Sequence, residues 1–304
     1  MLIAFLLLLS FPAASAPLAA PGADFSVEVV ETSTASGRTD YLLRFPSAVK
    51  SPWPANDFVW AHLSVPDSAK GRRGPAVLVL PVMAAPNIWI ETRFVNRFVA
   101  DGLVTMWIEM PTQFRRRPHA SMPSGQVFLA RTSRQLALNF RQSVSDARRA
   151  LDVLSARPEV DAKRVGLFGI SLGAIVGAVT WSVDARPAAG VFVMGGADFP
   201  GIALNGSLSG PVARAMGLKD AELRAAWSGL DPLDYKAANA GKRAYLINVN
   251  SDTVIPRANA LRLKEAFPDS SQVWLPFGHY TAIVHLAWLP GSVSRRLQNA
   301  LLMR

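Results

Sequence analysis

The chain has 304 residues, 50% of them hydrophobic and 18% charged, a balance that supplies a large core and excludes a disordered or fibrous chain. It has no cysteine, which excludes a disulfide framework, a thiol nucleophile and a lipidated cysteine. The net charge of +10 reads either as solubility of a basic exported protein or as attraction to anionic envelope polymers or lipids; the arginines are scattered along predicted helices with no binding motif, which argues against nucleic acid.

Residues 1–20 read as a signal peptide. A short apolar core, Leu2 to Phe11, precedes the small residues Ala13-Ala14-Ser15-Ala16. The core is too short to span a bilayer comfortably, so the expectation is bacterial export to the periplasm or beyond, with no stable membrane span after cleavage. The remainder, residues 21–304, is expected to form one α/β domain.

Three strands open that domain: Phe25 to Val30, Tyr41 to Phe45 and Phe58 to Pro66. A solvated turn, Asp67 to Gly74, leads to Ala76-Val77-Leu78-Val79-Leu80, an unbroken apolar run bounded by prolines. Such runs suit strands buried on both faces of a parallel sheet. A helical stripe of Ile90, Phe94, Val95, Phe98 and Val99 follows, then a strand over 103–108 and a polar loop from Pro111 to Gln126. Leu136, Phe140, Val144, Ala147, Leu151 and Leu154 recur at helical spacing. Strands are expected over 165–170, 190–194, 244–249 and 272–276, and helices over about 256–267 and 281–302. This alternation predicts right-handed βαβ units on a parallel sheet. Residues 195–242 break the rhythm and read as a cap-like insertion of loops and short helices.

Chemistry concentrates at Gly169-Ile170-Ser171-Leu172-Gly173, between an apolar strand and a small-residue helix. A G-x-S-x-G string in a strand–turn–helix context is a nucleophile elbow: glycines occupy the crowded positions and the serine stands clear at the positive end of the helix. Serine needs a base, and the base needs an orienting acid. Asp252 follows the strand at 244–249, and His279 follows the strand at 272–276, so all three side chains sit beyond carboxyl ends of strands. Asp198, one strand earlier, is the rival acid, whereas Asp231 and Asp234 read as cap or turn residues. His62, His119 and His285 read as structural.

Arg115-Arg116-Arg117 lies on the loop after strand 103–108. It reads either as a solvated run or as a guanidinium clamp for an anionic substrate group. Trp89, Trp227 and the Met122-Pro123 region are pocket candidates, with core packing as the alternative.

The elbow, the Asp252-x-x-x-Pro256 loop and the Gly278-His279-Tyr280 turn together resemble the α/β-hydrolase superfamily, from about residue 25 to the C-terminus. The details look most like its dienelactone-hydrolase, acetyl-xylan-esterase and prolyl-peptidase-like groups. The resemblance implies a mostly parallel sheet with helices on both faces. It also implies a serine esterase with Ser171 as nucleophile, His279 as base then acid and Asp252 as orienter, in the order Ser…Asp…His. It implies an oxyanion hole from the backbone N–H groups of Leu172 and Met83, with Val82 as the alternative to Met83, although Pro81-Val82-Met83 lacks the family's His-Gly turn. Neither metal nor organic cofactor is required, and the expected substrate is a small-molecule or polymeric ester. A peptidase or amidase using the same residues, or a non-catalytic binding protein on the same fold, are the competing expectations.

Overall fold

The computed structural model describes Leu18, residues 24–84 and residues 86–302. Apart from Leu18, the expected leader lies outside the described residues. Among the described residues no helix is long and apolar enough to cross a membrane.

Nine strands form one sheet: β1 (Glu28–Ala35), β2 (Arg38–Pro46), β3 (Phe58–Pro66), β4 (Gly74–Leu80), β5 (Val104–Ile108), β6 (Val160–Ile170), β7 (Ala189–Val193), β8 (Tyr245–Val249) and β9 (Ser271–Leu275). Their order is β1-β2-β3-β5-β4-β6-β7-β8-β9. β1, β2, β3 and β5 pair antiparallel, and every pairing from β5 through to β9 is parallel. The apolar run Ala76 to Leu80 is wholly buried, as a strand covered on both faces must be.

The helices are α1 (Trp89–Ala100), α2 (Ser133–Ser155), α3 (Leu172–Val183), α4 (Phe199–Asn205), α5 (Ser209–Ala215), α6 (Asp220–Trp227), α7 (Arg257–Ala266) and α8 (Leu289–Leu302). Apolar faces of α1 and α8 build one core with Val77, Val79, Phe168 and Val191. α2, α3 and α7 build the other with Ala76, Leu78, Leu80 and Leu167. Alternate residues of β4 therefore feed opposite cores, the period-two consequence of a pleated strand.

The strand order reverses at β4. The chain passes from β4 through α1 to β5 on one side, then through α2 to β6 on the other. β4 and β6 pair in register, Leu80 opposite Gly169, so their carboxyl-terminal loops leave the sheet side by side. Such a switch point opens a crevice where two adjacent loops diverge.

Several elements depart from the pattern read in sequence; β6, for one, begins at Val160 rather than at 165. The first strand spans Glu28–Ala35 rather than 25–30, and all its side chains are exposed, so no burial pattern marked its limits. The helix expected over 281–302 is split into a 3-10 segment, Thr281–Ala287, and α8. Pro290 accounts for the break: it has no N–H, and its ring excludes the helical carbonyl of Leu286. Between β7 and β8, the stretch read as an insertion holds α4, α5, α6 and a 3-10 turn, Pro232–Tyr235.

Candidate active site

β6 ends at Ile170 and α3 begins at Leu172, which leaves Ser171 to make the whole turn. Its backbone sits at φ 53°, ψ −116°, a conformation that costs a non-glycine residue about 1–3 kcal/mol. Three backbone hydrogen bonds hold it: Ser171 N–H donates to Val193 O at 2.9 Å, and Ser171 O accepts from Ala174 and Ile175 at 3.0 and 3.1 Å. The flanking glycines are sterically required. A Cβ on Gly169 would lie 2.2 Å from Gly173 O, and one on Gly173 would lie 2.0 Å from Leu80 O.

The loops after β8 and β9 are tied together. Asn250 N–H donates to Leu275 O at 2.9 Å, and Ser251 N–H donates to Phe277 O at 3.1 Å. This zipper continues the β8–β9 pairing past the strand ends and brings Asp252 beside His279. Asp252 Oδ1 accepts from the N–H groups of Val254 and Ile255, both at 2.9 Å. Its Oδ2 lies 2.8 Å from His279 Nδ1, and His279 Nε2 lies 3.1 Å from Ser171 Oγ. A carboxylate only accepts, so Nδ1 carries the ring proton and the Nε2 lone pair faces the serine hydroxyl. The imidazole and carboxylate side chains are only 10% and 5% exposed, which limits competition from water.

The two residues expected to supply oxyanion donors, Leu172 and Met83, both line the cavity that holds Ser171. Leu172 is the first residue of α3, whose leading N–H groups have no intrahelical partner. In the loop after β4, Val82 N–H is already bound to Glu91 Oε1 at 2.8 Å. That bond occupies the Val82 N–H, while Met83 lines the same cavity as Ser171. Glu91 was not singled out in the sequence. It is 1% exposed, its Oε2 has no hydrogen-bond partner, and burial pushes its carboxyl above the usual glutamate range, against the opposing pull of the Val82 N–H. The available signal was its place as third residue of α1, where a glutamate side chain reaches back over the helix start.

The arginine clamp is corrected by the structure. Arg116 is fully buried and donates to Glu109 O at 2.9 Å, Asn56 O at 2.8 Å and Asp146 Oδ2 at 2.7 Å. Arg115 turns to Glu109 at 2.6 Å and stacks over Trp60, in a separate groove with His62 and Trp107. Arg117 donates to Phe114 O at 2.7 Å and Met122 O at 3.2 Å, which secures its own loop. Trp89 is also corrected: it is exposed under the Arg93 guanidinium, and Ile90 and Phe94 of the same helix line the cavity instead. Trp227 is core, stacked 4.3 Å from Phe199.

The rival acid is occupied elsewhere. Asp198 caps α4 and pairs with Arg224 at 2.8 Å. Asp231 accepts from Phe199 and Leu233 N–H groups, a turn role. His285 is bonded to Pro276 O at 3.1 Å, and His62 stacks on Trp107. Among the described residues no group of three or more His, Cys, Asp or Glu is arranged to hold a metal ion.

Ser171 and His279 open into a cavity of about 590 Å³. Phe199, Ile202, Leu208 and Ser209, from the stretch between β7 and β8, form part of its wall.

No family model matches the sequence, and no curated protein matches it. Solved structures do match in shape. Acetyl xylan esterase 1 from Thermoanaerobacterium sp. JW/SL YS485 superposes with a TM-score of 0.64 at 18% identity, covering 88% of each chain. An S-formylglutathione hydrolase from Agrobacterium tumefaciens gives 0.59 at 15%, covering 88% of this chain and 99% of its own. A glucuronoyl esterase from Solibacter usitatus gives 0.55 at 15%, covering 91% and 87%. At such identities the likeness establishes the fold: the chain adopts the α/β-hydrolase fold, with the mostly parallel sheet expected from its sequence.

Proposed function

We propose that this chain is a serine hydrolase that cleaves carboxylic esters through an acyl-enzyme. The observation that carries the reading is the relay Ser171 Oγ–His279 Nε2 at 3.1 Å and His279 Nδ1–Asp252 Oδ2 at 2.8 Å, at the mouth of a cavity. His279 takes the hydroxyl proton as Ser171 Oγ attacks the ester carbonyl. The carbonyl oxygen becomes an oxyanion and accepts from the N–H groups of Leu172 and Met83, where each donor is worth about 3–4 kcal/mol. His279 then protonates the leaving alkoxide. Water enters and gives a proton to His279 as it attacks the acyl carbon; the Ser171 Oγ–acyl bond then breaks, His279 returns that proton to Oγ, and the acid leaves. Asp252 holds the ring in the required tautomer and faces the imidazolium as it forms. Among the structural neighbours, an acetyl xylan esterase and a glucuronoyl esterase support the reading by their own chemistry.

Residues 21–304 act in this proposal as one catalytic domain with 195–242 as its cap, and residues 1–20 direct export. Sequencing the N-terminus of the exported protein tests the leader. A fluorophosphonate probe tests the chemistry: it labels the wild type and not Ser171→Ala, and the same substitution removes hydrolysis of p-nitrophenyl esters. Equal labelling of both proteins would refute Ser171 as nucleophile. Turnover of matched amides at the ester rate would move the reading to an amidase.

A further inference from the structure

The cavity around Ser171 is far more apolar than hydrolysis alone requires. None of its lining residues carries an acidic or basic side chain apart from the histidines. Of its polar members, Ser171 and His279 belong to the relay, Ser209 Oγ donates to Ile202 O at 2.7 Å, and His285 is bonded to Pro276 O at 3.1 Å. Tyr280 is 68% exposed at the mouth. The interior thus offers a sugar hydroxyl or a charged group little to bind, and burying such a group without a partner is costly.

The apolar lining divides between the two cores. On the α1–α8 side it comprises Ile90, Phe94, Ile170, Leu275, Leu286 and Leu289. On the α3–α4 side it comprises Ile175, Phe199, Ile202, Val254 and Ile255. Ser171 stands at the sheet rim between them, so an ester carbonyl at its Oγ has an apolar wall available to each of its substituents. Leu208 and Ile283, both large and exposed, extend that lining outward.

We propose that the substrate is an uncharged ester apolar on both sides of its carbonyl, the acyl chain and the alcohol each filling one side of the cavity. This rests on the serine-hydrolase reading above. A cavity of about 590 Å³ is of the size that envelops a whole drug-sized ligand. Each methylene buried in the transition state raises kcat/KM by about fourfold, so specificity grows with chain length until the wall is met.

The test is a pair of length series on the purified chain. p-Nitrophenyl esters from acetate to dodecanoate vary the acyl group, and alkyl acetates from methyl to octyl, followed by pH-stat, vary the alcohol. Rising kcat/KM in both series supports the proposal. Ile202→Trp and Leu286→Trp narrow opposite sides, and each is expected to shorten the optimum of one series and not the other. The readout is the long-to-short ratio within one protein, and circular dichroism melts identify any variant that has not folded. Should neither variant fold, the wild-type series alone decide. A wild type that prefers acetates of methanol, or an acetylated sugar over octyl acetate, overturns the proposal, as do two variants that shift the same series. If fluorophosphonate labels Ser171 and short esters turn over while both series stay flat, this proposal fails and the hydrolase reading stands. If neither labelling nor turnover occurs, the hydrolase reading itself fails.

Discussion

Replacing Arg116 by methionine removes the cation from a fully buried pair. Arg116 and Asp146 are each 0% exposed and meet at 2.7 Å. The pair is the centre of a network: Ser47 Oγ donates to Asp146 Oδ1 at 2.6 Å, and Gln142 Nε2 donates to Ser47 Oγ at 3.0 Å and Asn56 O at 2.8 Å. Burial pushes the Asp146 carboxyl above the usual range, and the Arg116 guanidinium is the largest pull back. Without that guanidinium, Asp146 is a buried charge with no counter-ion, and the carbonyls of Glu109 and Asn56 each lose a donor. Removing one partner of such a pair costs about 3–5 kcal/mol. For a domain of this size that lowers the Tm by roughly 6–20 °C. The sign with pH follows from the raised carboxyl: folded Asp146 in the variant binds its proton more tightly than the unfolded chain does. Stability is therefore highest below the ordinary aspartate range and falls as pH rises through the raised folded value. Thermal melts of Arg116→Met at acid and neutral pH measure both effects, and adding Asp146→Asn, which keeps an acceptor for Ser47 without the charge, restores part of the loss. An Arg116→Met protein with unchanged Tm and a raised KM for anionic esters alone would refute the structural role and reinstate a substrate clamp.

Asp252→Asn is expected to leave the fold intact and lower kcat by about 10⁴-fold, because an amide at Oδ2 favours the wrong imidazole tautomer; steady-state kinetics checks this. Gly173→Ala sets a Cβ 2.0 Å from Leu80 O, a backbone atom that cannot swing away, and is expected to cost 4 kcal/mol or more by urea melts, on the order of the largest single-site losses. Gly241→Ala, with φ +80° and nothing within 4 Å, is its control and costs only about 1–2 kcal/mol. Glu91→Gln keeps an acceptor for Val82 N–H without the buried charge; since burial raises the folded carboxyl's pKa, the wild type loses stability as pH rises through that value, so the glutamine variant gains on the wild type from acid to neutral pH in the same melts.

The elbow was legible because its constraint is local: glycine, serine and glycine at two-residue spacing between a strand and a helix. Asp252 and His279 were legible by position, each just past a strand, and the sheet order brought them together without further information. The arginine run was not legible. A run of like charges reads as solvated when viewed along the chain, and Asp146, the partner that buries Arg116, lies thirty positions away on α2. The clue was on that helix. Gln142, Ser143 and Asp146 interrupt the stripe of Phe140, Val144 and Ala147, and all are buried, so the buried face of α2 carries a polar row that needed a partner. Trp89 failed for a different reason: two turns of α1 present both an exposed and a buried face, and the register, set by Phe94 and Phe98, turned the tryptophan outward.

Non-glycine backbone strain is distributed unevenly across the sheet. Among the described residues, the non-glycine positions with positive φ are Ala84, Thr112, Phe114, Ser171, Met194, Asp198 and Phe277. Every one lies in a loop that leaves the carboxyl end of a strand: Ala84 after β4, Thr112 and Phe114 after β5, Ser171 after β6, Met194 and Asp198 after β7, Phe277 after β9. At the opposite rim, where the chain enters β4, β5 and β8, the positive-φ residues are Gly71, Gly102 and Gly241. Glycine adopts that conformation at no steric cost, so a rim that only has to turn the chain uses it. Of the non-glycine positions, Ala84, Ser171 and Met194 line the cavity, and each holds a side chain in that conformation at about 1–3 kcal/mol. The cores on both faces of the sheet hold those loops in place, which is why a small set of polar groups can be fixed beside so apolar a cavity.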